Sequence, residues 1–336
     1  MVKELPPLET MELSPGLEIC RIINGMWQVA GGHGVIDSDD AISEMIKYHN
    51  AGFTTWDMAD IYGPSETFFG AFRKRFNENN LEKSLAFTKF VPSPGPMTKS
   101  IVEYYIDESR KRMNVESIDL LQFHWWDYND SRYLDALRNL ECLCDEGKIK
   151  YLGLTNFNTN KIQVMIDDGI NLISNQVQYS ILDQRPEIKM VPFCQENGIK
   201  LLSYGTLLGG FLSEKYLGVS EPTRMDLDTS SLQKYKNMID HWGGWTLFQD
   251  LLVVLNEIAQ KHNSSIANIS TRFILDKPMV CGVIIGTRLG ISEHRSDNSK
   301  VFGISLNDSD YSKIKSVTVK SNDLYHVLGD CGDEYR

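Results

Sequence analysis

Short apolar segments rich in β-formers alternate with segments of helical periodicity along most of this chain. The strand candidates from residue 52 onward are "FTTWDMAD", "LAFTKF", "IDLLQFHW", "YLGLTNF", "ISNQVQYS", "IKLLSYG" and "VCGVIIGT", and an earlier one, "INGMWQVA", makes eight. Their apolar residues run nearly without interruption, which is typical of strands covered on both faces, as in a parallel sheet. The pattern therefore predicts eight parallel strands.

The segments between the strands carry helix signals. Ile42, Met45 and Ile46 fall on one helix face after Asp37, the predicted N-cap, and a glycine follows where the helix should stop. The stretch "SRYLDALRNLECLCDEGKI" repeats this arrangement and also ends at a glycine. Eight alternations of strand and helix predict an α/β fold, a (β/α)8 TIM barrel, with residues 1–336 forming a single domain.

The alternative architecture is a doubly wound sheet. A dinucleotide-binding sheet of that kind would show G-x-G-x-x-G after its first strand, whereas this chain reads "VAGGHGVIDS", with the wrong spacing. The barrel is therefore preferred. We also expect an N-terminal β-hairpin around Pro15 and Gly16 at the barrel bottom. A long loop after strand 7, residues 209–245, is either a binding loop or a solvated insertion.

Composition narrows the function classes. The net charge of −11 over 336 residues opposes attraction to nucleic acid and to anionic membranes. No apolar run approaches the roughly 18 residues of a spanning helix, and "MVKELPPLET" lacks the apolar core of a signal peptide, so a cytoplasmic protein is expected. The six cysteines are expected to be reduced thiols, and none is spaced for a zinc site. Composition does not indicate an oligomeric state.

Polar side chains stand at the ends of three successive strands. Asp57 and then Tyr62 follow the second strand, Lys89 ends the third and His124 ends the fourth. Because the carboxyl ends of barrel strands meet at one mouth, we expect these side chains to lie together. Taken singly, each has an ordinary structural interpretation. The presence of four such residues at three successive strand ends favours a shared functional role over four separate structural ones.

These four residue types have a use in common. An ammonium near a phenol favours phenolate and can lower the pKa of a tyrosine by a unit or more, and an aspartate would keep that ammonium charged. An imidazole would orient a reacting oxygen or pass a proton. The group could protonate a carbonyl oxygen, but a cofactor must supply the hydride.

Several longer segments follow one another in a recognisable order: "AGFTTWDMADIYGPSETFFG", "FTKF", "SIDLLQFHWW", "EGKIKYLGLTNFN", "SNQVQYS", "LLSYGTLLGGFLSEKY" and "GVIIGTR…EHRSDN". In order, spacing and number they resemble the aldo-keto reductase superfamily. The resemblance implies the (β/α)8 barrel. It also implies that Asp57, Tyr62, Lys89 and His124 are the catalytic tetrad, with Tyr62 as general acid in reduction.

The resemblance further implies NADP(H) bound in extended form. In matching positions, Thr155, Asn156 and Gln176 would hold the nicotinamide carboxamide, and Tyr204 would stack on the ring. Arg288 would pair with a 2′-phosphate and favour NADPH over NADH. The other cofactor residues implied are Gly205, Leu207 and Gly209 at the pyrophosphate, Gly286 and Thr287 at a phosphate, and Asp297 and Asn298 at the adenine.

Aromatic residues are expected to select the substrate. Trp27, Trp125 and Trp126, with Trp242 or Trp245 from the long loop, would supply surface that suits apolar or ring-bearing aldehydes and ketones and can also stack on sugars. Core packing is the competing interpretation of each tryptophan.

The predicted function is reversible, NADPH-dependent reduction of an aldehyde or ketone. The alternative is a cofactor-binding regulatory subunit resembling channel-associated β subunits, although the first strand comes early and leaves little room for a long inactivating N-terminal extension. A metal-dependent hydrolase is disfavoured, because the seven histidines include no H-x-H or H-E-x-x-H.

Overall fold

The computed structural model describes residues 6–31, 36–76 and 84–335. The strands are β1 (Thr10–Ser14), β2 (Leu17–Cys20), β3 (Ile22–Gly25), β4 (Thr55–Asp57), β5 (Leu85–Phe90), β6 (Ile118–Phe123), β7 (Ile149–Thr155), β8 (Ser174–Gln178), β9 (Lys200–Tyr204) and β10 (Val280–Gly286). The helices are α1 (Ser38–Asn50), α2 (Ser65–Arg75), α3 (Lys99–Met113), α4 (Arg132–Asp145), α5 (Thr159–Asp167), α6 (Met190–Asn197), α7 (Ser230–Trp242), α8 (Gly244–Lys261), α9 (Ile266–Leu275), α10 (Arg295–Asn298), α11 (Asp308–Thr318) and α12 (Leu324–Leu328).

Strands β3 to β10 form a closed barrel in which sequence neighbours pair in parallel and β10 returns to β3. This confirms the predicted (β/α)8 TIM barrel. All six residues of β6 are buried, as expected for a strand with the barrel interior on one face and helices on the other. The first barrel strand is shorter than predicted: "INGMWQVA" leaves the sheet at Gly25, and Trp27–Ala30 form a 3-10 turn.

The N-terminal hairpin closes one end of the barrel, as predicted. Strands β1 and β2 pair antiparallel. Leu13 and Leu17 of the hairpin belong to one buried cluster with Phe87, Leu120 and Leu202 of three barrel strands. This apolar plug leaves the opposite end, where the strands finish, as the place for polar chemistry.

The long connection after β9 contains more regular structure than the sequence suggested. The prediction of a loop over 209–245 is wrong for Ser230–Trp242, which form helix α7, capped by Thr229, whose side chain accepts a hydrogen bond from Leu232 N. The helix buries Leu232, Tyr235 and Ile239 on one face, so its apolar spacing was present in the sequence. At α1 the predicted cap is as expected, with Asp37 Oδ1 accepting from the Asp39 and Asp40 amides.

All six cysteines are free thiols, as expected. Among the residues that the structure describes, no helix combines the length and the apolar character needed to cross a membrane.

Candidate active site

Asp57 and Lys89 form a buried ion pair at the ends of neighbouring strands, with only 3% of each residue exposed. Lys89 Nζ donates to Asp57 Oδ2 at 2.6 Å and to the Met58 carbonyl at 2.9 Å. Burial opposes the charge on Lys89, but Asp57 and Tyr62 outweigh it and raise the pKa of the ammonium above its ordinary value. Lys89 therefore stays protonated.

Tyr62 lies against this ion pair, with its ring centroid 4.7 Å from Lys89 Nζ. A tight turn brings it there, because Tyr62 N–H donates to the Ala59 carbonyl just after β4. Lys89 lowers the pKa of Tyr62, as expected, but burial has the larger effect and keeps that pKa above its ordinary value. The phenol is protonated at neutral pH and able to serve as a proton donor.

His124 follows β6 directly and is held through its Nδ1, which lies 3.2 Å from the Thr155 carbonyl oxygen. A carbonyl can only accept, so Nδ1 carries a proton in this arrangement. Neutral His124 then presents a lone pair at Nε2, whereas the imidazolium presents a donor. The neutral form matches an alcohol hydroxyl, and the charged form matches a carbonyl oxygen.

Two glutamines converge on the other oxygen of Asp57. Gln122 Nε2 and Gln176 Nε2 donate to Asp57 Oδ1 at 2.8 and 2.9 Å, and Gln176 Nε2 also donates to Gln122 Oε1 at 2.6 Å. Sequence reasoning selected Gln176 but missed Gln122. The signal was available, because Gln122 is a polar residue inside an apolar strand, two positions before His124 and so on the same strand face.

The residues expected at the nicotinamide lie next to one another. Asn156 comes directly after β7 with a φ of 59°, and its Oδ1 accepts from the Tyr204 hydroxyl at 2.8 Å. Thr155 is buried, and its hydroxyl lies 3.4 Å from the Gln176 carbonyl oxygen. The ends of β7, β8 and β9 thus bring the four predicted residues into one group.

A second lysine and tyrosine pair, missed in the sequence, borders this group. The Tyr335 hydroxyl lies 2.8 Å from the Tyr204 hydroxyl, and Lys234 Nζ donates to the same Tyr335 oxygen. The Lys234 ammonium also lies 5.1, 5.3 and 4.8 Å from the ring centroids of Tyr204, Tyr235 and Tyr335. Three tyrosine rings therefore surround one ammonium beside the predicted nicotinamide residues.

The segment that carries Tyr335 is anchored by charge. Arg185 Nη1 donates to Glu334 Oε2 at 3.0 Å, and the Thr159 amide and hydroxyl both donate to Asp330 Oδ2. Gly332, with a φ of 88°, passes so close to the Asn156 carbonyl that a Cβ would lie 2.2 Å from its oxygen. Only glycine allows this approach.

The residues expected at the phosphates make mostly internal contacts. A Cβ on Gly205 or Gly209 would meet Tyr235 at 2.4 and 3.0 Å, so the backbone approach that these glycines allow in this structure is to α7. The Thr287 hydroxyl donates to the Gly25 carbonyl at 2.9 Å. In this structure the one hydroxyl hydrogen of Thr287 is therefore used inside the barrel.

The remaining cofactor candidates lie near the surface after β10 or beside α7. Leu207 is half-buried and Arg288 is exposed. Gly286 pairs with Gly25, and the Gln28 side chain covers it. Asp297 accepts from Ser265 Oγ at 3.1 Å and pairs with Lys300, and it shares α10 with Asn298.

Two of the predicted tryptophans flank the tetrad. Trp27 is 40% exposed and meets the Tyr62 ring edge-on at 5.0 Å between centroids. Trp126 is 45% exposed and meets the His124 ring edge-on at 4.4 Å. They form two aromatic walls, one beside Tyr62 and one beside His124.

The other tryptophans serve the core. Trp125 is 2% exposed and packs against Phe123, although it also borders a cavity of about 300 Å³ that Trp126 shares. Trp242 and Trp245 are buried, the latter against Phe211 and Phe248. The expectation that one of these two reaches the mouth is wrong, because the segment that carries them folds into helices.

Comparison with known proteins identifies the family. The model of the Aldo/keto reductase family matches residues 21–319. This chain belongs to the aldo/keto reductase family. It is an oxidoreductase, like the reductases among its relatives.

The relatives of this aldo/keto reductase are distant in sequence. It is 28% identical over 270 residues to the aldo-keto reductase str7 of Strobilurus tenacellus, a match that covers 77% of this chain and 76% of the relative. It is 25% identical over 288 residues to L-glyceraldehyde 3-phosphate reductase of Escherichia coli strain K12, covering 81% of each. A match to flagellar radial spoke protein 5 of Chlamydomonas reinhardtii has 27% identity over 271 residues, covering 68% of this chain and 50% of that protein.

Solved structures share the fold. The glycerol dehydrogenase AKR11B4 of Gluconobacter oxydans superposes with a TM-score of 0.76 at 20% identity, covering 95% of this chain and 96% of that one. The thermostable aldo-keto reductase Tm1743 gives a TM-score of 0.72 at 23% identity, covering 92% of this chain and all of that one. At these identities the likeness concerns the barrel alone.

The amides beside the tetrad suit the nicotinamide cofactor that aldo/keto reductases use. A carboxamide offers one acceptor oxygen and a donor NH2 group. Asn156 and Gln176 are amides, which carry both donors and an acceptor, and Gln176 turns Nε2 toward Asp57, so its Oε1 is the atom that would accept from a carboxamide NH2 group. The donor set therefore fits the group. In residues 6–31, 36–76 and 84–335, no cluster of His, Cys, Asp or Glu is arranged to hold a metal ion.

Proposed function

We propose that this aldo/keto reductase converts an aldehyde or ketone to the alcohol, reversibly, with NADPH as cofactor and Tyr62 as general acid. The observation that carries the proposal is the buried ion pair of Lys89 and Asp57 in contact with the Tyr62 ring. Lys89 is a buried ammonium that has its own counter-ion and lies against a phenol. It therefore favours the phenolate that remains after proton donation.

The chemistry that NADPH would supply when bound is a hydride for the carbonyl carbon. Tyr62 donates its proton to the carbonyl oxygen as negative charge develops there. Lys89 stabilises the resulting phenolate, and Asp57 keeps Lys89 charged and directed. His124 donates to the same oxygen when it is an imidazolium, and in alcohol oxidation its neutral form accepts from the hydroxyl.

The residues around the tetrad support a substrate class and a cofactor preference. Trp27 and Trp126 present exposed ring faces beside Tyr62 and His124, which supports an apolar or ring-bearing carbonyl compound as substrate. Thr155, Asn156, Gln176 and Tyr204 would hold the nicotinamide. Exposed Arg288 would pair with the 2′-phosphate and favour NADPH over NADH.

The test is loss of NADPH absorbance with a panel of aromatic and aliphatic aldehydes. Wild type is expected to turn over, and Tyr62→Phe is expected to bind NADPH normally while its turnover falls by about a hundredfold or more, since a positioned general acid contributes that much. Tyr104→Phe, a change at an exposed tyrosine of α3, is the matched control and should leave turnover unchanged. Tight NADPH binding with negligible turnover in wild type would favour the regulatory-subunit alternative.

A further inference from the structure

Gln122 is a buried amide to which the proposed chemistry gives no role. It is wholly inaccessible on β6 and touches both the tetrad, through Asp57, and the predicted carboxamide site, through Gln176. The question is whether it merely fills the barrel or determines an orientation.

The hydrogen-bond pattern permits only one orientation of the Gln122 amide. Asp57 Oδ1 can only accept while the aspartate is charged, so Gln122 must present Nε2 to it, 2.8 Å away. The other end of the amide, Oε1, then faces Gln176. Turned over, Gln122 would place two acceptor oxygens against each other in a buried site, which is strongly unfavourable.

The orientation of Gln176 follows from that of Gln122. Gln176 Nε2 lies 2.6 Å from Gln122 Oε1 and 2.9 Å from Asp57 Oδ1, so its two hydrogens have one acceptor each. If Gln176 turned over, its Oε1 would face both of these acceptors. Its Oε1 is therefore held on the opposite side, where only a donor can satisfy it.

We propose that Gln122 is a positioning residue of the cofactor site. It holds Gln176 so that Gln176 Oε1 accepts a hydrogen bond from the NH2 group of the nicotinamide carboxamide. This inference rests on the proposed function, since it takes a nicotinamide dinucleotide as the ligand. It explains why two amides, rather than apolar residues, stand between Asp57 and the cofactor. It also ties the ion pair that supports Tyr62 to the orientation of the ring that delivers hydride.

The inference is testable by binding alone, with NADP⁺ and its 3-acetylpyridine analogue, which keeps the carbonyl oxygen but lacks the NH2 group. Calorimetric titration of wild type is expected to show about tenfold weaker binding of the analogue, because Gln176 Oε1 is left unsatisfied. In Gln122→Met, Gln176 loses the nearer of the two acceptors that orient it, so only Asp57 Oδ1 still opposes its turning over to donate to the acetyl oxygen. The preference should then fall to about twofold or less.

Gln122→Glu is the matched variant. A protonated carboxyl at this position donates its hydrogen to Asp57 Oδ1 and offers its carbonyl oxygen to Gln176 Nε2, so the preference for NADP⁺ should return to about tenfold. If the preference for NADP⁺ over its analogue is lost in Gln122→Met and restored in Gln122→Glu, Gln122 does more than fill space in the barrel. Unchanged preference in a folded Gln122→Met, as judged by its thermal midpoint, would overturn the inference and leave the proposed function intact. If Gln122→Met does not fold, loss of the preference in Gln122→Glu overturns it instead. Failure of wild type to bind NADP⁺ at all would instead overturn the proposed function, and the inference with it.

Discussion

Two lysine and tyrosine pairs lie at the mouth of this barrel, and the positive charge of each lysine is stabilised in a different way. Lys89 stands beside Tyr62 with a carboxylate, Asp57, at 2.6 Å. Lys234 stands beside Tyr335 with three tyrosine rings about it, and within the described part of the chain no carboxylate lies within ion-pair distance of its ammonium. The first pair is built on strand ends, and the second on helix α7 and the segment that follows α12.

With the function proposed above, the difference would distinguish a reacting pair from a cofactor-binding pair. A lysine with a full counter-ion can hold its charge while a neighbouring phenol gains and loses a proton. A lysine that relies on ring faces gains less, roughly 0.5–2 kcal/mol for each favourable contact. Its neighbour Tyr204 is the predicted nicotinamide-stacking residue. We therefore expect changes at Lys89 and Tyr62 to affect stability and turnover, and changes at Lys234 and Tyr335 to affect cofactor binding.

The largest expected effect comes from replacing the lysine of each pair. Lys89→Met leaves Asp57 as a buried charge without a counter-ion and should lower the free energy of unfolding by about 3–5 kcal/mol. Lys234→Met leaves no buried carboxylate behind, and it should lower that free energy by about 1 kcal/mol or less. Urea unfolding of the two variants and wild type at pH 7.5 measures both.

Each of these variants serves as the other's control, because both replace a half-buried or buried lysine by methionine at the same mouth. Equal losses of unfolding free energy would contradict the distinction drawn here. So would a larger loss in Lys234→Met, since it would mean that the tyrosine rings stabilise an ammonium as well as Asp57 does.

How far the sequence could predict this site depends on what positions each residue. Asp57, Lys89 and His124 stand at or next to the ends of parallel strands, and the closure of a barrel alone brings such residues together. Gln122 was predictable from strand alternation, as a polar residue on the face of β6 that His124 continues. The sequence indicated that Lys89 lowers the pKa of Tyr62, but it could not show the burial that raises this pKa by more.

Tyr335 and Lys234 were not predictable in the same way. Tyr335 reaches the mouth because Arg185 binds Glu334 and Thr159 binds Asp330, contacts that span about half of the chain. No local periodicity reports such pairings. Helix α7 was missed because the glycines and polar residues around it outweighed a short apolar spacing. The fold thus follows from repeated local pattern, whereas this border of the site depends on long-range ion pairs and hydrogen bonds.

The next largest effect concerns Asp60, a second carboxylate three residues after Asp57. Asp60 accepts from the Val91 amide at 3.0 Å but has no ion-paired Lys or Arg within residues 6–31, 36–76 and 84–335, and burial raises its pKa from 3.8 to about 6. The folded protein thus binds more protons than the unfolded chain between these values, so the contribution of Asp60 to stability falls as pH rises through about 6. The charged Asp60 should therefore oppose folding at neutral pH.

Asp60→Asn keeps the acceptor for Val91 and removes the charge. Its stability gain over wild type should therefore be about 2 kcal/mol larger at pH 7.5 than at pH 4, because a shift of about 2 pKa units is worth about 3 kcal/mol in full and part of that is already present at pH 4. Urea unfolding of both proteins at the two pH values measures the difference. The same stability change at both pH values would show that Asp60 ionises in the folded protein as readily as it does in water.

The smallest expected effect distinguishes the two phenols. Tyr335→Phe removes the hydroxyl that contacts Tyr204 and Lys234 but leaves Tyr204 bonded to Asn156, so the stacking residue keeps one of its two supports. NADPH binding should weaken about threefold, as expected for one lost hydrogen bond of modest net value, while turnover at saturating NADPH stays within about twofold of wild type. Fluorescence titration and steady-state rates separate the two quantities. A fall in saturated turnover comparable to the hundredfold expected of Tyr62→Phe would mean that Tyr335 takes part in proton transfer, and the division between a reacting and a binding pair would then be abandoned.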